Sequence, residues 1–286
     1  MKNFFPRLIS GIVYAAIIVV GTTWHPYSLI ALMGLFCILC LIEYCKITQL
    51  KDRLYQGMIL IGFGIVFFLF ARDFLSASNT LYETDTFPFF LNTMAFAGPV
   101  LFLFSILLFF FSPQELNNDF SKATIGITYL VVPFALSLTL PSFGLSLGKT
   151  IMHYEVLFVF ILLWISDSMA YIVGSLLGKH PMAPKISQAK SWEGFAGGFV
   201  STILAGYFIA QWSPVPLQGN WLIVGVIVAI AAPLGDLTES KLKRTFQVKD
   251  SGNMIPGHGG FLDRLDSYIF VLPIICLLYT SPSPRD

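Results

Sequence analysis

The sequence predicts an all-α polytopic integral membrane protein, with about nine transmembrane helices and its N-terminus in the cytoplasm. Three observations carry that prediction. Hydrophobic residues make up 56% of the 286 positions and charged residues only 12%, where soluble domains carry roughly a quarter. Apolar runs near the ~20 residues that cross a bilayer recur along the chain. The basic residues partition between alternate loops. A mean hydropathy of +0.76, with 28 Phe, leaves far too few charges to cover a soluble globule. The same figures exclude a disordered chain, a coiled coil and a secreted disulfide scaffold.

Candidate spans centre on residues 8–24, 27–42, 57–71, 88–111, 123–140, 155–177, 194–212, 221–235 and 267–280. The first follows a short basic stretch and ends in Gly21-Thr22-Thr23-Trp24 with no small-residue cleavage site, so it reads as an uncleaved signal anchor. The second holds Cys37 and Cys40 at zinc-knuckle spacing, but no second Cys or His pair stands nearby. With Cys45 and Cys276 they read as membrane-core packing. Glu43 closes this span beside Lys46 and reads as a solvated interfacial pair. The third span is short, and Asp73, Glu83 and Asp85 fall in the external loop after it. The fourth ends in the charge-free run Phe102–Phe111. Pro99, Pro133 and Pro273 predict kinks that neighbouring helices accommodate. Residues 1–150 therefore read as a transmembrane scaffold of about five spans, with nothing converging into a site. Residues 151–280 read as the catalytic region, with cytoplasmic loops 178–193 and 235–267.

The basic residues test the span count independently. With the N-terminus and the even-numbered loops on one side, that side holds 14 of the 17 Lys and Arg. The other side holds only Arg72, Lys149 and Arg285. One missed span would invert every later loop, so a bias this strong supports the count. The positive-inside rule makes the richer side cytoplasmic.

From about residue 160 the character changes. Asp167 lies between Ser166 and Ser168, deep in an apolar run. An intramembrane carboxylate is costly and predicts a polar cavity with a functional partner. The loop after it carries Lys179, Lys185 and Lys190, followed by Ser191 and the glycines 194, 197 and 198. That pattern suits phosphate, although a basic loop also serves as a topology marker. The strongest pattern spans residues 235–267. Asp236 and Glu239 share a helix face, and Asp263 and Asp266 repeat the spacing just after Gly257-His258-Gly259-Gly260. Two such pairs offer oxygen ligands to a hard divalent cation. Lys241, Lys243, Arg244, Lys249 and Arg264 are interleaved with them. Carboxylates for metal and cations for phosphates are what a nucleoside triphosphate site requires. The glycines let backbone N–H groups approach anionic oxygens.

At these residues the chain resembles a known family. The run Ser240-x2-Lys243-Arg244-x4-Lys249-Asp250-x-Gly252-x3-Pro256-Gly257-His258-Gly259-Gly260-x2-Asp263-Arg264-x-Asp266 is similar to the signature of phosphatidate cytidylyltransferases, or CDP-diacylglycerol synthases. Leu234-Gly235-Asp236-Leu237-x-Glu239, Asp167-Ser168-x-Ala170-Tyr171 and the run from Gly178-Lys179 to Lys190-Ser191-Trp192-Glu193-Gly194 match it as well. The resemblance covers roughly residues 160–270; before that the chain matches only in being hydrophobic.

The resemblance implies a reaction of CTP with phosphatidic acid that gives CDP-diacylglycerol and pyrophosphate. It implies Mg²⁺, or Mg²⁺ with a second cation, held by Asp236, Asp263 and Asp266. Glu239 and Asp167 would be further ligands or supporting partners. Lys241, Lys243, Arg244 and Lys249 would hold CTP phosphates, with Lys185, Lys190 and Arg264 on these or on the lipid phosphate. Ser191, His258, Gly259 and Gly260 would complete the substrate contacts. The expected partners are CTP, phosphatidic acid, the lipid bilayer and a second copy in a homodimer, with no nucleic acid. The expected location is a bacterial inner membrane, with the site on the cytoplasmic face.

Two rival readings fit the sequence less well. An ion-coupled transporter would use Asp167 and Gly-rich broken helices, but it commonly shows an internal repeat, and the polar residues here concentrate after 160. A CDP-alcohol phosphotransferase needs a D-x2-D-G-x2-A-R run, which is absent. The tail Ser281–Asp286 fits neither a helix nor a natural end and resembles adapter read-through, so residues 281–286 are expected to be artefactual.

Overall fold

The computed structural model of the chain describes residues 4–79, 89–111, 118–142, 154–183, 187–213, 217, 219–255, 257 and 259–280. Helices α1 (Phe4–Thr23), α2 (Pro26–Ile47), α3 (Arg53–Asn79) and α4 (Phe89–Phe111) form the first half. Broken helical pieces follow: α5 (Asp119–Gly126), a π turn (Ile127–Val131), α6 (Val132–Leu136) and α7 (Thr139–Ser142). The second half contains α8 (Tyr154–Leu177), β1 (Pro181–Ala183), β2 (Ser187–Ser191), α9 (Trp192–Trp212), α10 (Trp221–Thr245) and α11 (Leu262–Thr280).

Over their described residues the segments expected to span are helical, apart from the fifth, which is broken. Among the described residues, five helices are long and apolar enough to cross a membrane: α2, α8, α9, α10 and residues 53–75 of α3, and two shorter apolar helices accompany them. Their outer faces carry large apolar side chains into the surroundings, such as Ile12 on α1, Ile61 and Phe68 on α3 and Leu204 on α9. Lipid solvates such faces; water does not.

Local chemistry sets the ends. His25 caps α2 and exchanges hydrogen bonds with Ser28, with Pro26 at the first helical position. Asn220 accepts from the N–H groups of Leu222 and Ile223 to start α10. The predicted fifth span is not one continuous helix. Pro133 lacks an N–H, and just before it the Val132 N–H reaches back five residues to Ile127 O, widening the turn. The external loop assigned to Asp73 is also corrected: α3 continues past it, and Asp73 is buried beside Arg72, 2.6 Å away.

The two halves share one core. Tyr268 of α11 stacks on Phe160 of α8, with centroids 4.3 Å apart, and its hydroxyl lies 2.7 Å from Ser137 Oγ. α8 and α9 approach so closely that a Cβ on Gly194 would stand 2.7 Å from Ala170 O, the small-residue packing that membrane helices use. A two-stranded antiparallel hairpin, β1–β2, caps this helix pair. It departs from the all-α expectation because the polar loop between α8 and α9 must pair its backbone groups with each other.

Candidate active site

The end of α2, the β1–β2 hairpin and the loop between α10 and α11 meet at one end of the bundle. α10 extends past its apolar stretch and presents Asp236, Glu239 and Lys243 at helical spacing. Lys243 Nζ lies 2.5 Å from Glu239 Oε2 and 2.7 Å from Asp263 Oδ1 on α11. One ammonium thus bridges two carboxylates in a pocket where Glu239 is almost wholly buried. The other Glu239 oxygen, Oε1, is buried without a hydrogen-bond partner, an uncompensated cost for a polar atom.

Asp263 is gripped from the loop as well. Its Oδ2 accepts from Gly260 N at 3.0 Å, and the Ser251 N–H stands 3.3 Å from both oxygens. The loop closes with Ile255 N donating to Gly259 O at 2.9 Å. Gly257 and Gly259 have φ values of 76° and 87°, a region that side chains disfavour. Beside it opens a cleft of about 620 Å³, lined by Lys243, Asp250, Asn253, Gly259, Asp263 and Arg264. That size and polarity suit a charged ligand of nucleotide class.

The remaining carboxylates border this centre. Asp236 forms an ion pair with Lys190 of β2 and accepts from Ser240 Oγ at 3.3 Å. Asp266 is buried and accepts from Ser267 N at 2.6 Å; the charges of Asp236, Glu239 and Asp167 reach it. Asp167 is exposed on α8, within electrostatic reach of Asp236, Lys190 and Arg264.

Several expected residues are engaged with other partners. Lys241 sits over the Phe110 ring, 3.8 Å from its centroid, and turns toward α4. Arg244 is exposed and donates to Val248 O at 3.3 Å, closing the C-terminal end of α10. Lys249 is exposed. Ser191 caps α9 by accepting from Gly194 N at 3.1 Å. The Gly260 N–H is taken up by Asp263. Lys185, His258 and the tail 281–286 lie outside the described residues.

Sequence reasoning missed Asp250 and Asn253 as cleft residues, although both stand inside the polar run it singled out. It also misread Glu43, which is fully buried and makes no interfacial pair with Lys46. Its Oε2 accepts from Leu262 N at 2.8 Å and from Ser251 Oγ at 3.1 Å. The signal was present, since a carboxylate closing an apolar helix is costly unless partnered.

Among the described residues, no three Asp, Glu, His or Cys side chains already enclose an ion site. Lysines separate the carboxylates: Lys190 is on Asp236, and Lys243 is between Glu239 and Asp263. The donors are nevertheless hard oxygens, and Glu239 Oε1 is orphaned. Mg²⁺ commonly takes one or two carboxylates and completes its shell with waters and substrate phosphates. The residues fit that pattern and not an all-protein cage.

Comparison with known proteins gives the family of the chain. A profile described as the cytidylyltransferase family matches residues 5–281. A phosphatidate cytidylyltransferase of Haemophilus influenzae is 32% identical, over 96% of this chain and 97% of that protein. One from Staphylococcus saprophyticus is 39% identical over 56% of this chain and 59% of its own length. One from Staphylococcus epidermidis is 47% identical over 43% and 48%.

Proposed function

Because the chain belongs to the cytidylyltransferase family, we propose that it joins CTP to phosphatidic acid, giving CDP-diacylglycerol and pyrophosphate in phospholipid synthesis. The observation that carries this reading is Lys243 held between Glu239 and Asp263 at the mouth of a polar cleft, at the end of apolar helices. That arrangement gives a soluble, highly charged nucleotide and a membrane-borne phosphate a common meeting place.

A phosphate monoester oxygen of the lipid attacks the α-phosphorus of CTP in line, and pyrophosphate leaves. Such a displacement calls for positioning and charge neutralisation more than for covalent help from the protein. Lys243 and Arg264 line the cleft as cations for phosphate oxygens. Lys190, paired with Asp236, would exchange that partner for an incoming phosphate. Lys249 and Arg244, both exposed, add positive charge to the polar segment outside the cleft lining, whereas Lys241 stays against α4. Asp236, Asp263 and Asp266, with Glu239, are the residues that would hold Mg²⁺, and Asp167 supports them from α8. Bound there, Mg²⁺ would neutralise charge building up on the transferring phosphoryl group.

The same reading includes nine spans, a cytoplasmic N-terminus, a bacterial inner membrane and a homodimer. The site faces the cytoplasm because the basic loops belong there and CTP is a cytosolic solute. The direct test is pyrophosphate release by the purified protein in detergent micelles. Release should require CTP, phosphatidic acid and Mg²⁺ together, and diacylglycerol should not replace phosphatidic acid. Release that is independent of the lipid would sink the assignment.

A further inference from the structure

We propose that Glu43, on α2 in the N-terminal half, is a positioning residue that holds the α10–α11 loop in the shape that presents Asp263. The inference rests on the cytidylyltransfer reading and extends its machinery into the half of the chain that reads as scaffold.

Glu43 grips the loop at both ends. Its Oε2 accepts from Ser251 Oγ at 3.1 Å near the loop's start and from Leu262 N at 2.8 Å where α11 begins. Ser251 then passes the contact to Asp263. Its N–H lies 3.3 Å from each carboxylate oxygen, and its hydroxyl accepts from Asp263 N at 3.4 Å. Asp263 in turn meets Lys243 at 2.7 Å. A continuous run of hydrogen bonds therefore leads from α2 to the ammonium at the cleft.

The loop is shaped around this carboxylate. A Cβ on Gly252 would stand 2.5 Å from Glu43 Oε1. A Cβ on Gly260 would press on both Glu43 oxygens and collide with Ser251 Oγ. Both glycines are thus required by close approach to one side chain. Glu43 is fully buried, and its Oε1 lacks a hydrogen-bond partner. Packing alone would be served better by an apolar residue there. The retained carboxylate is explained by the two loop donors it receives.

The test begins with wild-type kinetics in micelles, varying CTP and phosphatidic acid separately. Glu43→Ala releases the loop and should lower kcat by about a hundredfold, the cost of a small misplacement of reacting groups. KM for CTP should rise, while KM for phosphatidic acid stays put. Glu43→Gln keeps an oxygen with two lone pairs for both donors and should return to within about threefold of wild type. Gly252→Ala should impair the native protein and add nothing in the Glu43→Ala background, where the colliding carboxylate is gone. Partial unfolding would lower apparent kcat in proportion to the folded fraction and move neither KM. That pattern, or wild-type constants in Glu43→Ala, overturns the positioning role. An inactive wild-type protein would instead remove the cytidylyltransfer reading beneath it.

Discussion

Lys190, on the hairpin between α8 and α9, forms an ion pair with Asp236 on α10. This pair joins two polar segments that the sequence places 46 residues apart. Both side chains stay partly exposed, at 24% and 39%, so the pair adds only about 1 kcal/mol or less to stability. Its interest lies in what it would exchange under the proposed function: Asp236 would trade Lys190 for a metal ion, and Lys190 would trade Asp236 for a phosphate.

A charge swap separates the two readings of this pair. In the Lys190→Asp, Asp236→Lys double variant the ion pair can re-form with reversed polarity. Thermal stability should stay close to wild type, while activity falls by about a hundredfold or more, roughly 2.7 kcal/mol of transition-state stabilisation. If the pair only pins the hairpin to α10, the swap restores activity and the proposed roles of both residues fail.

Lys243 and Arg244 are neighbours in sequence but stand in different surroundings. Lys243 sits between two carboxylates with only 13% of its side chain exposed, whereas Arg244 is exposed and bonded to a backbone carbonyl. Lys243→Met should leave Glu239 and Asp263 facing each other without a counter-charge, costing about 2 kcal/mol or more of stability after allowance for solvent. Lys243→Arg should also lose about tenfold in kcat/KM, since a planar fork does not replace a compact ammonium in that space. Arg244→Lys should change kcat/KM by no more than about threefold. Equal effects at the two positions would contradict the geometry.

What the sequence revealed, and what it hid, has a physical pattern. The long apolar helices were legible because bilayer thickness imposes a length on every apolar run that crosses it. The carboxylate pairs were legible because their spacing put Asp236 and Glu239 on one helix face. The break at Ile127–Val131 was only half visible: Pro133 announced a disturbance but not its form. The partners of Lys241 and Glu43 could not be read at all. Both depend on which segment lies alongside, and hydropathy does not say which one does. Lys241 looked like one more phosphate ligand until α4 supplied Phe110 beneath it. Glu43 looked like a boundary residue until the loop arrived over it.

Asp263 receives donors on both oxygens, from Lys243, Gly260 and Ser251. In Asp263→Asn the amide must turn an NH₂ toward one of these donors. The variant should therefore lose about 1–3 kcal/mol of stability, and kcat should drop at least about a hundredfold. The informative readout is the metal titration. Where a carboxylate contributes to holding Mg²⁺, the concentration for half-maximal residual activity should rise by about tenfold or more. An unchanged Mg²⁺ requirement, with reduced kcat, would confine Asp263 to organising the loop.

The orientation of the site can be tested with one engineered cysteine, and the structure decides where to put it. Ser251 is a poor choice, being buried between Glu43 and Asp263. Asn253 is exposed and lines the cleft. In a background free of the four native cysteines, Asn253→Cys should react with an impermeant maleimide only in inverted membrane vesicles. The nine-span reading predicts that result, because it puts the loop on the side holding 14 of 17 basic residues. Adding CTP with Mg²⁺ should then slow labelling, since a nucleotide in the cleft covers position 253. The two halves of the experiment fail independently. Labelling from outside intact cells would reverse the topology and the span count that produced it. Labelling from inside that CTP does not slow would leave the topology standing and move the nucleotide out of this cleft.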